Sequence, residues 1–510
     1  MIRTTARRAL CGAAAGPLVL IRAGAMALAA FMIAGCVVGP DFKKPAAPDV
    51  VDYTAQPPST TAASPDVAGG AAQRFTKGSD IAADWWTLFH SRPLNALIEQ
   101  SLANNHDLKA AQAALAVARE NVLAQRGVYY PAVTAGFSAS RQLQSEVLSP
   151  ALNSNTFEYS LFTPQVSVSY APDVFGLNRR NTELVKAQEQ VARFEMIAAR
   201  LSLIDNVVAA LIQEASLQTQ IEATRQLIDI NTKSVETLRY QFSKGYASRL
   251  DVAAQESQLA QVAATLPPLL KQLAQQRDLL AVLAGRFPSQ APMETFELST
   301  LALPEDLPVS LPSALVAQRP DVLQAQANLH AASAQVGVAT ANRLPNIMLS
   351  ADAGSTALAI SQVFGSGTGF WGLAAALTAP IFDGGTLLHQ ERAARAGYVQ
   401  AAEQYRSTVL TAFQNVADTL TALEQDAEAL KAAASASDAA QVTLDLSQRQ
   451  WRDGYASYLT LLSAEQAYQQ ARINLVQAQA NRYADTAALF QALGGGWWRR
   501  AELAKDTYEN

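Results

Sequence analysis

The chain has 510 residues, of which 49% are hydrophobic and only 16% charged, with a formal net charge of −5. That length is enough for several domains, and the bland composition suits long helices better than a catalytic α/β core. A net-acidic chain with no basic run is a poor binder of nucleic acid.

Residues 1–35 are expected to be an address rather than structure. Arg3, Arg7, Arg8 and Arg22 supply positive charge, and Ala23 to Ile33 is an apolar run too short to span a bilayer. The run ends in Ile33-Ala34-Gly35-Cys36, which resembles the lipobox of bacterial lipoproteins. That resemblance implies cleavage before Cys36 and a covalent lipid on it, S-diacylglycerol with an N-acyl group. Val37 in place of an Asp implies sorting to the outer membrane. Cleavage removes four arginines and no acid, which leaves a formal charge of −9. Cys11 leaves with the signal, so no intramolecular disulfide is possible. No cofactor beyond the lipid is expected. Residues 36–80, rich in Pro, Ala, Thr, Asp and Gly, predict an extended tether.

The body then runs twice through one pattern. Asp107, Ala111, Gln112, Ala113, Leu115 and Pro131 recur 214 positions later. Gly245-Tyr246-Ala247-Ser248 returns 209 positions later as Gly454-Tyr455-Ala456-Ser457, and Leu250, Glu256 and Gly285 return as Leu459, Glu465 and Gly494. An internal duplication is expected, with a first repeat over 81–298 and a second over 299–496, leaving a tail at 497–510. Each repeat reads helix, strand, strand, long helix, turn, helix.

Alternation predicts the strands. Val133, Ala135, Phe137 and Ala139 alternate with Thr134, Gly136, Ser138 and Ser140, and Val166, Val168 and Tyr170 with Gln165, Ser167 and Ser169. These fall in a hairpin at about 133–171. A second hairpin, at about 346–381, carries Ile347, Leu349 and Ala351, then Trp371, Leu373, Ala375 and Leu377. One apolar face and one small or polar face suit a strand with lipid on one side and water on the other. Heptads predict the helices. Phe194, Leu201 and Val208 recur every seven, as do Ile197, Ile204 and Leu211 and the series Val252, Leu259, Leu266, Leu273 and Leu280. Val409, Phe413, Val416, Leu420, Leu423, Ala427 and Leu430 step by fours and threes. Leu177 to Ser243 and Gly385 to Asp453 contain no proline, so each is expected to be a single rod roughly 100 Å long at ~1.5 Å per residue. Pro267-Pro268 is expected to bend the first returning helix. Four strands with one lipid face cannot close alone, so the chain must oligomerise if they are transmembrane. Counting strands allows a dimer, trimer or tetramer. The competing reading is a soluble sandwich with a lipid-anchored structural coiled coil.

The residues also carry a resemblance. Cys36-Val37-Val38-Gly39-Pro40-Asp41-Phe42, Trp85-Trp86-Thr87-Leu88-Phe89, Arg319-Pro320-Asp321, Pro345-Asn346-Ile347, Pro380-Ile381-Phe382-Asp383-Gly384-Gly385 and Ala492-Leu493-Gly494-Gly495-Gly496-Trp497 are similar, in order and spacing, to blocks of NodT-type outer-membrane factor lipoproteins. The resemblance covers essentially the whole mature chain. It implies a TolC-like fold, mainly α with a small β part. In such a fold a homotrimer shares a 12-stranded transmembrane barrel and a coiled-coil α-barrel in the periplasm. It implies a passive exit duct, not an enzyme, of a tripartite multidrug efflux pump. The partners would be a periplasmic adaptor and an inner-membrane pump of the resistance–nodulation–division type. Secretion of a protein or polysaccharide is the alternative for the same kind of duct.

On that plan the two Gly-Tyr-Ala-Ser turns are periplasmic tips, and Lys244, Gly245, Tyr246, Ser248, Arg452, Gly454, Tyr455 and Ser457 are the candidate adaptor contacts. Plain helix capping accounts for the same Gly and Ser residues. Asp445, between two and three turns before the second tip, is the candidate gate, as a ring of like charges when copies converge. His90, His106, His330 and His389 have no ligand spacing, so no metal site is expected. Gly365-Ser366-Gly367-Thr368-Gly369 reads as a hairpin loop, and Trp497-Trp498 as packing.

Overall fold

The computed structural model describes residues 37–147, 156–290 and 296–504. In chain order the elements are β1 (Arg74–Lys77), α1 (Arg92–Asn104), α2 (His106–Arg126), β2 (Ala132–Leu143), β3 (Glu158–Tyr170), α3 (Leu177–Ser243), α4 (Arg249–Leu283), β4 (Asp306–Val309), α5 (Pro312–Gln318), α6 (Pro320–Ala341), β5 (Asn346–Ser355), β6 (Gly369–Thr378), α7 (Thr386–Arg452), α8 (Tyr458–Ala492) and α9 (Ala501–Ala504). The order helix, strand, strand, long helix, returning helix occurs in both halves. The two long helices have 67 residues each and the two returning helices 35 each. Pro267 and Pro268 lie within α4 rather than ending it.

The chain forms two compact units. One contains, of the described residues, 37–43, 119–147, 156–188 and 329–401. Its centre is a four-stranded antiparallel sheet in the order β2-β3-β5-β6. Helices adjoin the strands at the start of β2 and β5 and the end of β3 and β6, one end of this antiparallel sheet, and two of them begin there for a local reason. Asp173 accepts from the backbone N–H groups of Asn178 and Arg179 at 2.9 Å each and so starts α3. Asp383 accepts from Leu387 and Gly385 at 2.8 Å each and starts α7. A carboxylate on the orphan N–H groups of a first turn is the ordinary way to begin a helix. The backbone N–H groups of Leu387 and Gly385 hold Asp383 below the usual carboxylate range.

The other unit contains, of the described residues, 44–118, 189–290, 296–328 and 402–504. Its core is built on the heptad positions. Ile197, Ile204, Val208, Leu211, Val416, Leu423 and Leu430 are all buried. An aromatic cluster from the Trp-Trp turn seats against the returning helix: Trp85 stacks on Phe490 at 5.1 Å, and Phe89 lies 6.4 Å from Tyr483. The Arg319-Pro320-Asp321 block is a clamp. Buried Arg319 pairs with Asp321 at 2.7 Å and donates to the Ala492 carbonyl at the end of α8 at 2.8 Å. Gly496, at φ +70°, leaves no room for a side chain, because a Cβ there would sit 2.4 Å from the Ala82 carbonyl oxygen. This lets Trp497 pack against Phe194 at 6.1 Å.

Three features differ from the expectations. The segment after Cys36 is not a free tether. Tyr53 donates to the Ser310 carbonyl at 3.0 Å, and fully buried Gln73 donates to the Pro304 carbonyl at 2.9 Å and to Thr486 at 3.0 Å. It also supplies β1, which pairs in parallel with β4. Proline-rich composition described its lack of regular structure but not its packing, because the contacts are more than 200 residues apart in sequence. Second, the strand count omitted β1 and β4, each too short to alternate visibly. Third, the sevenfold series on α4 is buried only at its ends, Val252 and Leu280. The buried interior of that helix is Gln255, Gln258 and Val262 instead.

Trp85→Ala would empty a fully buried site and remove a stacked ring. The expected cost is about 3–5 kcal/mol, measured as a lowered free energy of unfolding in denaturant. A change under about 1 kcal/mol would mean that the Trp-Trp turn does not organise this core.

Candidate functional site

The sheet has a register that sorts its two faces. Directly opposite residues share a face, and β2-β3-β5-β6 places Val133 beside Val168, Val168 beside Ala351 and Ala351 beside Leu373. The same face carries Ala135, Val166, Ala353 and Trp371, then Phe137 and Pro164, and Ile347 opposite Leu377. The opposite face carries Thr134, Ser167, Asp352 and Gly372 among others. On the apolar face Trp371 is 77% exposed and Leu373 75%. Arg141 and Glu158, ion-paired at 2.8 Å, mark the loop end of this apolar face. The strands are 10 to 13 residues long, against about 9–11 needed to cross a bilayer at a tilt. β2 and β6 are free edges of the sheet.

Cys36 lies outside the described residues. The chain immediately after it is held by one buried guanidinium. Arg180 donates to the Val38 carbonyl at 3.0 Å, to the Gly39 carbonyl at 3.1 Å and to Asp41 at 2.9 Å, and pairs with Glu183 at 2.7 Å. His330 lies 2.8 Å from Glu183, and Phe42 stacks on the His330 ring at 4.3 Å. Gly39, at φ +91°, abuts Gly337, where a Cβ would come within 2.4 Å of the Gly337 Cα. Burial pushes the Glu183 carboxyl up, but the hydrogen bonds from His330 and Arg180 outweigh it and hold it below its ordinary range. No motif pointed to Arg180. Its signal was only a pair of arginines at the start of a long helix.

The two turns have matching geometry. Gly245 and Gly454 both sit at φ +80°, the left-handed region that closes a helix C-terminus. Tyr246 N–H donates to the Gln241 carbonyl at 2.9 Å, and Tyr455 N–H to the Gln450 carbonyl at 2.8 Å. Ser248 caps α4 in a reciprocal box with Asp251, and Ser457 caps α8 by accepting from Thr460 N–H at 3.3 Å. The Lys244 ammonium lies 5.6 Å above the Tyr240 ring. Lys244, Gly245, Tyr246, Ser248, Arg452, Gly454, Tyr455 and Ser457 are all exposed. Tyr246 and Tyr455, 85% and 87% exposed, are apolar bodies left uncovered among the described residues. Beneath the turns, Leu238, Val252, Leu444, Tyr458, Leu461 and Ala464 form one buried cluster, so both hairpins share it. Asp445 is exposed on α7 and accepts from Gln441 one turn earlier at 3.0 Å.

The histidines are not brought together, and among the described residues no group of three or more His, Cys, Asp or Glu side chains could hold a metal ion. Gly365–Gly369 lies in the β5–β6 connection, where the Thr368 hydroxyl donates to the Gly365 carbonyl at 2.8 Å. Among the described residues no helix is long and apolar enough to cross a membrane.

If the apolar face meets hydrocarbon, Leu373→Lys should reduce assembly in outer-membrane fractions by about 2–4 kcal/mol. Ala374→Lys, its neighbour on the opposite face beside Ser350, should be tolerated. Equal effects of the two substitutions on folded yield would rule out a lipid-facing sheet.

Comparison with known proteins agrees with this geometry. The family model described as outer membrane efflux protein matches residues 97–286 and 311–495. A probable efflux pump outer membrane protein of Pseudomonas putida, TtgC, is 31% identical over 94% of this chain and 96% of its own. Nodulation protein T of Rhizobium leguminosarum is 26% identical over 91% of this chain and 96% of its own. The solved structure of the outer-membrane channel OprN superposes with a TM-score of 0.80 at 28% identity, over 91% of this chain and 100% of that one. The chain belongs to the outer membrane efflux protein family.

Proposed function

We propose that three copies of this chain form the outer-membrane exit duct of a tripartite pump that expels drugs or other small molecules. The observation that carries this reading is the four-stranded sheet, with one continuous apolar face, one polar face and two free edges. An unpaired edge is costly in a bilayer, and four strands are too few to close. Three copies give twelve strands, enough to surround a water-filled lumen. The polar face then lines the lumen and the apolar face meets lipid. The long helices extend the bore into the periplasm as a coiled-coil barrel.

In this scheme Cys36 carries the lipid, and the Arg180 clamp ties the lipidated end to the helices beside the sheet. The exposed turns Lys244–Ser248 and Arg452–Ser457 meet a periplasmic adaptor, with Tyr246 and Tyr455 as its apolar anchors. Copies of Asp445 converge as a ring of negative charge at the narrow end. An inner-membrane pump of the resistance–nodulation–division type supplies the energy and most of the selectivity, while the duct itself does no chemistry. The naming of TtgC as an efflux pump component supports small-molecule efflux over secretion.

Purified protein carrying Asp445→Ala, Tyr246→Ala and Tyr455→Ala should conduct ions in planar bilayers. Deleting the gene, with redundant ducts also removed, should raise dye and antibiotic accumulation. A protein that never forms pores would sink the duct, and unchanged accumulation would sink efflux. Cys36→Ser should abolish acylation, read as loss of the lipid mass in the intact protein. A parent protein whose mass shows no lipid at Cys36 would refute the anchor alone.

A further inference from the structure

A buried acid follows Ala464, the last residue of the cluster beneath the tips. Glu465 is 4% exposed, and its Oε2 has no hydrogen-bond partner. Tyr458, two turns earlier on the same helix and itself buried in the cluster, also has an unpartnered hydroxyl. The position 209 residues earlier is Glu256, which is ion-paired to Arg239 at 2.8 Å. The residue 209 beyond Arg239 is Gln448, so the second hairpin keeps the carboxyl and lacks the arginine. Next to it the core is polar as well. Gln255 is fully buried with an unpartnered Oε1, and its amide donates to Asn231 at 2.9 Å. Gln466 donates to Gln258 at 2.6 Å.

We propose that docking of the α7–α8 hairpin against the α3–α4 hairpin at the tips requires a proton on Glu465, so that the two hairpins part as the pH rises. An ionised carboxylate is poorly held in this site, because its Oε2 meets neither water nor a counter-charge. The charged groups beside the cluster on its four helices are otherwise engaged or unpaired to it. Arg239 is held by Glu256, Asp251 by its capping box with Ser248, and Asp445 by Gln441. Arg449, on α7, forms no ion pair with Glu465 among the described residues. Parting the hairpins lets Glu465 reach water, which is what the charged form needs. Burial pushes the Glu465 carboxyl up to about 7 in the docked form, against ~4.3 for an exposed glutamate. The docked state therefore holds the extra proton between those values. Docking is strongest below about pH 4.3 and weakens roughly tenfold per pH unit until about pH 7, then levels off.

This deepens the reading of the tips as the adaptor-facing end, but its test needs no pore and no adaptor. Hydrogen–deuterium exchange is measured on the purified full-length oligomer at pH 5 and pH 7.5, on peptides covering 238–255 and 458–468. At pH 5 the parent should exchange no more than about sixfold faster than Glu465→Gln, and at pH 7.5 far more than tenfold faster. Glu465→Met, apolar and close in volume, should match the Gln variant. Equal parent and variant rates at both pH values would overturn the proposal. If neither variant assembles, the parent decides alone: its tip peptides must lose protection relative to peptide 203–217 as the pH rises, and a constant ratio refutes the switch.

Discussion

A backbone N–H or C=O facing hydrocarbon without a partner costs several kcal/mol, and this constraint governs how the sheet can be used. Within the sheet every strand is antiparallel to its neighbours, and side chains through the middle of the strands sort into an apolar face and a mostly small or polar one. The penalty is therefore concentrated at two places, the outer edges of β2 and β6. A helical membrane protein has no such leftover, because each span satisfies itself. A sheet this short leaves half-pairs that another copy must complete. The need for further copies, whatever their number, follows from those two unpaired edges.

Much of this was legible in the sequence because it depends on short-range periodicity. Alternation located all four strands of the large sheet, and the heptads at Ile197, Ile204, Val416 and Leu423 found the buried faces of the long helices. Both are consequences of side-chain direction along a regular backbone. The turns were legible for the same reason, since Gly at φ +80° followed by a capping Ser is local chemistry. What escaped was long-range. Gln73 meets Thr486 across more than 400 residues, and Arg180 meets Gly39 across 141. Neither has a periodic signature. The heptad on α4 was misleading in its middle because two glutamines, not its leucines, face the interior.

Those glutamines belong to a wider pattern. The core of the helical unit is apolar through the region of Trp85 and Phe490. Around Asn231, Gln255, Gln258 and Glu465 it becomes polar, and beneath the tips it is apolar again. Apolar packing is non-directional and strong, whereas an amide layer holds only while its geometry is kept. A bundle built this way is firm along most of its length and least cohesive just behind the end proposed to open. Buried Glu214, paired at 2.9 Å with the partly exposed Arg277, contrasts with Glu465. One buried acid has its counter-charge and reads as structural, and the other lacks it.

The clamp at Arg180 has a mechanical corollary. Only Val37 separates Cys36 from the first carbonyl that the guanidinium grips, and two residues of extended chain span at most about 7 Å. Acyl chains on that cysteine would hang on a very short leash, unable to wander around the circumference or sink deeper into the leaflet. The lipid would then act less as a mooring rope than as a depth gauge, setting the height at which each subunit meets the membrane before its strands find their neighbours.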